Sequence, residues 1–190
     1  LEYKHVGTYE AAVDSHHREI SHRTASMASS VKSIKKRFIA NRHIAIDQRL
    51  NTARAAMISK GTYNLGTWPY LNRAEYTRFH KAIYAIYSSI INASNYELTD
   101  TPTYQYIQQN HPVFSPMILI VFHRLGVFLR VAAKAPPNLI AILFVTEPAP
   151  RSWLKAVRKD LQLLTRVVPE LHQFQQWDLH QWVDAIQANP

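Results

Sequence analysis

Residues 19–38 read EISHRTASMASSVKSIKKRF, and this stretch decides the fold. Ile20, Thr24, Met27, Val31, Ile34 and Phe38 step alternately by four and three residues. That repeat lays one apolar stripe along an α-helix, whereas a half-buried strand would alternate every second residue. The stretch therefore predicts an amphipathic helix whose last turns carry Lys32, Lys35, Lys36 and Arg37. Two causes can place cations there. The helix dipole favours positive charge at a C-terminus, and a surface that tracks phosphates needs long cations.

The same rhythm recurs downstream. A second helix is predicted from Asp47, with Leu50, Ala53, Met57 and Ile58 inside and Arg49, Arg54 and Lys60 outside. Gly61 should weaken or end it, and Gly66-Thr67-Trp68-Pro69 is a break. Asn72 with Glu75 resembles a capping box, followed by a stripe of Tyr76, Phe79, Ile83, Ile86, Tyr87 and Ile90. Residues 92–115 are polar, with a short helix expected around Tyr104 to Gln109. Ser115-Pro116 opens a helix, and Met117 to Val131 is apolar nearly all round, as in a central buried helix. Arg124, Arg130 and Pro136-Pro137 weigh against a membrane span. Asn138 to Val145 reads as a short helix or strand. Trp153, Val157, Leu161 and Leu164 define another helix, and Trp177, Trp182, Val183 and Ile186 a last one. Upstream, Leu1 to Glu10 reads as extended, and Asp14 or Ser15 as the N-cap of the first helix. The expected class is mainly α: a bundle of about seven helices after a short N-terminal strand or hairpin. The expected regions are 1–92, a linker over 93–114, and a helical tail over 115–190.

Composition narrows the function. The 190 residues are 47% hydrophobic, which excludes a wholly disordered chain. There is no cysteine, so disulfides and thiolate metal sites are excluded. Only 4 glycines are present, which argues against a glycine-rich phosphate loop. The formal net charge is +9, of which +6 falls in residues 1–60. A polyanion, most simply nucleic acid, is the expected partner. No signal peptide or long apolar run is visible, so a nuclear or cytoplasmic location is expected, with no membrane partner. Starting at Leu1, the chain reads as a piece of something longer.

Catalytic patterns are missing. No paired carboxylates suit two-metal chemistry, and no Walker, nucleophile-elbow or dinucleotide motif occurs. His16-His17 with His22 is the densest histidine cluster, but its spacing is not that of a helical metal site. Tyr63, Trp68, Tyr70, Tyr76, Tyr84 and Tyr87 have rings that can stack on unpaired bases, although helical spacing favours a core role. Trp153, Trp177 and Trp182 fall on apolar stripes and read as core. The residues themselves describe a catalytically empty, basic helical module.

One pattern is more specific. Tyr3-Lys4-His5-Val6-Gly7-Thr8 resembles the strand that follows the catalytic hairpin in non-LTR, LINE-type retrotransposon reverse transcriptases. Glu19-Ile20-Ser21-His22-Arg23, then Arg49-Leu50, Ala53, Leu65-Gly66 and Trp68-Pro69, then Glu75, Tyr76, Phe79 and Tyr87, follow in that family's order. Ser115-Pro116, Arg124-Leu125, Arg130, Ser152-Trp153-Leu154, Asp160-Leu161 and Trp182 resemble its helical tail more loosely. Gly61 departs from the family's pattern, and the aromatic-x-Asp-Asp segment is absent. The resemblance implies the thumb and post-thumb tail of an RNA-directed DNA polymerase, inert alone. It makes Tyr3, Lys4, His5 and Gly7 a palm-edge strand at the primer end. It gives Lys32, Lys35, Lys36, Arg37, Arg42, Arg49 and Arg54 the template–primer duplex. Its partners would be an RNA template, a DNA primer and the palm and fingers of the same polyprotein, with Mg²⁺ held in that palm and no cofactor or metal here. The rival expectation is a non-enzymatic, basic α-helical RNA-binding protein of organellar or ribosomal type. A helical scaffold whose charge serves only solubility is a third.

Overall fold

A computed structural model describes residues 2–5, 8–11, 16–41, 43–92 and 103–189. It is mainly helical. β1 (Glu2–His5) and β2 (Thr8–Ala11) lie antiparallel, with Tyr3 opposite Glu10. Then come α1 (His17–Ile34), α2 (Ile46–Ala53), α3 (Ser59–Thr62), α4 (Arg73–Asn92) and α5 (Tyr104–Asn110). α6 (Pro116–Lys134), α7 (Pro137–Thr146), α8 (Trp153–Val167) and α9 (Leu179–Ala188) complete the order. Two π-helical segments, Lys35–Ile39 and Arg54–Ile58, extend α1 and join α2 to α3. With those joined, ten helical segments are found among the described residues. The sequence spacing counts about seven. Part of the excess is two 3-10 segments, Leu65–Thr67 and Pro169–Phe174, too short to display a 3.6-residue repeat.

The chain folds as two compact units. Unit 1 holds Leu1–Tyr63 and Leu71–Leu119, and unit 2 holds Asn64–Tyr70 and Ile120–Pro190. The division therefore does not follow the expected linker: residues 64–70 fold with the C-terminal half, and α5 with the N-terminal half.

In unit 1, α1 packs on α3 and α4, and α2 packs on α4. The core is made of Ile20, Met27, Leu50, Ala53, Met57, Ile58, Phe79, Ile83, Tyr87 and Ile90, all buried. Burying each large side chain contributes about 1.5–3 kcal/mol. Asp14 and Ser15 lie outside the described residues, and α1 starts at His17 with His16 as an N-cap that makes no side-chain cap bond. The apolar stripe changes register at the first π segment. Ile39, five residues after Ile34, is 1% exposed, while Phe38 is half-buried. A π turn closes i to i+5, so a step of five keeps Ile39 on the core side.

Gly61 lies in the last turn of its helix, which ends one residue later at Thr62, in keeping with the expectation that it weakens or ends it. It is small because Met27 lies against it; a Cβ there would stand 2.7 Å from Met27 Cε. Asn72 and Glu75 form the expected capping box. Asn72 N donates to Glu75 Oε2 at 2.9 Å, and Glu75 N donates to Asn72 Oδ1 at 2.9 Å.

In unit 2, Phe128, Ala132, Leu154, Val157, Leu161, Leu179 and Val183 form the core, with Trp153 and Trp182 partly buried against it. Trp177 is half-buried and precedes α9, so it is not on the last helix. α6 is not the central buried helix that its composition predicts. Ile118 is 54% exposed, Phe122 73% and Leu129 52%. α6 is long and apolar enough to cross a membrane by length and composition. Its Arg124, however, is buried inside unit 2 and bound there, as described below.

Candidate nucleic-acid interface

Unit 1 separates its charges by depth. Among its residues with described side chains the acids are Glu19, Asp47 and Glu75, and only Asp47 is exposed; Glu2 and Glu10 fall in β1 and β2, and their side chains are not described. Glu19 is 2% exposed and accepts from Arg23 Nε at 2.6 Å. Glu75 is 4% exposed and, besides closing the cap, accepts from His16 N at 3.2 Å. Lys32, Lys35, Arg37, Lys60, Arg73, Lys81, Arg18 and Arg78 are exposed. Carboxylates are thus held inside by hydrogen bonds while cations face solvent, which gives this unit a positive surface field.

The predicted site residues divide into four groups. Lys32, Lys35 and Arg37 sit at the end of α1 and in the π segment, exposed, with no side-chain hydrogen bond or ion pair among the described residues. Lys36 lies in the same π segment, and its side chain is outside the description; Arg42 and Gly7 lie outside the described residues. Tyr3, Lys4 and His5 fall in β1, and their side chains are likewise not described.

Arg49 and Arg54 form the fourth group. Arg49 is a correction. Its side chain points inward, the residue is 3% exposed, and Nη1 donates to Ile39 O at 2.9 Å. A π segment leaves carbonyls without helical partners at its end, and this guanidinium satisfies one of them. Burial also lowers its pKa below the ordinary guanidinium value. Arg49 is therefore a bracing residue and not a phosphate contact. Arg54 is half-buried. Its Nη2 donates to Asn51 Oδ1 at 2.7 Å, and its guanidinium lies 5.3 Å from the Phe114 ring. It too has intramolecular partners.

Other features escaped the sequence reading. Arg78 of α4 reaches across to α1, binding Ser21 Oγ and lying 3.0 Å from His17 Nε2. Nothing in the spacing of Arg78 distinguishes it from a solvated helix cation.

Unit 2 contains a polar latch. Arg124 is 2% exposed. It donates to Trp68 O at 2.9 Å and Pro69 O at 3.0 Å, and its Nη1 meets Asp160 Oδ2 at 2.6 Å. Burial raises the Asp160 carboxyl above its ordinary value while Arg124 draws it down. Trp153 Nε1 donates to Gly66 O at 2.7 Å. Gly66, Trp68-Pro69, Arg124, Trp153 and Asp160 are scattered over the sequence, and the fold gathers them. The break at 66–69, read as a mere interruption, is a segment held by guanidinium and indole donors.

Among the described residues no three His, Asp or Glu are grouped as a metal site. No protein-family model, curated protein or solved structure matches the chain.

Proposed function

We propose that this chain is the duplex-holding thumb and helical tail of a retrotransposon-type RNA-directed DNA polymerase, with unit 1 laid on the template–primer duplex. In this reading the short N-terminal strand is the palm edge, and polymerisation belongs to a palm carrying its own carboxylates and Mg²⁺. The observation that carries the reading is the surface of unit 1, where eight exposed Lys or Arg face a single exposed acid among the residues whose side chains are described. Such a surface binds phosphates without reading bases, as a thumb must. The order of the motifs from Tyr3 to Asp160 supports the choice of polymerase over other basic helical proteins.

The test is binding of an RNA–DNA duplex by the full chain at several salt concentrations. The expected log–log salt slope falls by roughly 0.9 for each phosphate contact removed. Lys32, Lys35 and Arg37→Ala together should lower it by roughly 2 to 3 units, and Lys134 with Arg166→Ala should leave it unchanged. Equal losses from both sets would overturn the assignment of the site. Tight binding to double-stranded RNA with no affinity for the hybrid would favour the non-enzymatic RNA-binding protein instead.

A further inference from the structure

We propose that Tyr70, with Lys159 beside its ring and Lys155 one helical turn before Lys159, is a stacking platform for an unpaired nucleic-acid strand. It lies in unit 2 and stands apart from the duplex reading of unit 1.

Of the six aromatic residues singled out in the sequence, Trp68 and Tyr87 are core, at 2% and 1% exposure. Tyr70 is 51% exposed, only two residues after the buried Trp68. An exposed ring on a loop is ordinarily loose. This one is mounted on a segment whose carbonyls are held at four points. Gly66 O accepts from Trp153, Trp68 O and Pro69 O from Arg124, and Tyr70 O from Arg151 at 3.4 Å. A ring carried on a held backbone has only its own two side-chain torsions to order when a base stacks on it.

The charges around it suit phosphates. Lys159 Nζ lies 4.4 Å from the Tyr70 ring centroid, and half of the residue's surface remains open to solvent. Lys155 lies one turn earlier on α8, so the two ammonium groups share a helix face. Both lysines are exposed, and neither has an acidic partner among the described residues. The acid nearest in sequence, Asp160, is buried against Arg124. An aromatic face beside cations is the arrangement that binds single strands with little sequence preference, because every base has a π-face. Within a duplex those faces are covered by neighbouring bases, so the platform selects unpaired strand.

The experiment measures anisotropy of labelled oligo-dT, oligo-U and an RNA–DNA duplex with the full chain. Tyr70→Ala should weaken single-strand binding roughly 5- to 100-fold. Tyr70→Phe should bind as wild type does, since the ring and not the hydroxyl does the stacking. Duplex affinity should stay unchanged in both. Lys155 with Lys159→Ala should lower the single-strand salt slope by roughly 1.4, the value for two phosphates on a single strand. Loss on either oligonucleotide with rescue by Phe supports the platform, and the two strands show whether ribose or deoxyribose is preferred. Absence of single-strand binding, equal loss in the Phe variant, equal loss on duplex, or an unchanged slope each overturns it. Lys32, Lys35 and Arg37→Ala serves as the separate arm. If it abolishes duplex binding while the Tyr70 dependence persists, the two sites are distinct; if it has no effect on duplex, only the unit 1 reading fails.

Discussion

Unit 1 and unit 2 use their charged residues in opposite ways. In unit 1 the buried ion pair Glu19–Arg23 spans one helical turn, so it ties α1 to itself. In unit 2 the pair Arg124–Asp160 joins residues 36 apart, and the same guanidinium holds two carbonyls 55 and 56 residues away. Outside, among the described side chains, unit 1 shows cations with a single acid, whereas unit 2 also exposes Glu170, Asp178 and Asp184 and places Lys159 beside the Tyr70 ring. A local pair adjusts a helix; a long-range one defines a tertiary structure. A broad positive field suits a regular polyanion, and an exposed ring with a cation beside it suits a single flexible strand.

The largest expected effect breaks the long-range pair. Asp160→Ala strands a buried guanidinium and should cost about 3–5 kcal/mol of unfolding free energy. All four tryptophans, Trp68, Trp153, Trp177 and Trp182, lie in unit 2, so their fluorescence in a urea titration reports this unit alone. Glu19→Ala, read by circular dichroism, should cost about 1–3 kcal/mol, because the guanidinium of Arg23 keeps its place over the ring of the exposed Tyr63. Equal costs would erase the distinction between local and long-range pairs.

The glycines sharpen the contrast at smaller scale. A Cβ at Gly66 would meet the His123 carbonyl oxygen at 2.5 Å, which is backbone and cannot swing aside. A Cβ at Gly61 would meet the flexible end of Met27, and alanine there also gains helix propensity. Gly66→Ala is expected to cost about 2–3 kcal/mol and Gly61→Ala about 1 or less, measured as shifts in the urea midpoint. The reverse order would mean that residues 64–70 yield more easily than α3.

The smallest effect is a pH dependence shared by both units. Burial lowers the pKa of His80 in unit 1 and His123 in unit 2 below 6.5, and Arg130 adds to the effect at His123. His80 is held between aromatic rings, 4.6 Å from Tyr104 and 6.0 Å from Tyr76. As pH falls through 6.5 the unfolded chain takes up these protons first, so stability present above that pH is lost below it. His80→Gln and His123→Gln should each flatten the acid-side slope, by less than about 1 kcal/mol in total. A slope that survives both variants would assign it to carboxylates.

The helices were legible because burial at Ile20, Met27, Phe79 and Ile83 imposes the 3.6-residue period directly on the sequence. The capping box at Asn72 was legible because its two bonds are local. Arg49 was not: one arginine in an amphipathic helix looks the same whether it faces solvent or reaches a carbonyl ten residues back. The apolar composition of α6 misled for a related reason, since composition records what a helix can bury and not how many neighbours surround it. The latch around Arg124 depends on residues 68, 69 and 160 being adjacent in space, which no local pattern encodes.

The two π segments carry a consequence at the level of the gene. Each amounts to an ordinary helical turn with one residue inserted. Losing a single codon between 36 and 38 would restore regular pitch and leave Ile39 four residues after Ile34, the ordinary step of the apolar stripe. Such a chain would differ in charge by at most one and in composition hardly at all, and Ile39 would keep its side of the helix. At these two places the helix tolerates a one-residue deletion, whereas the same deletion in the middle of α1 or α4 would turn everything downstream by about 100°.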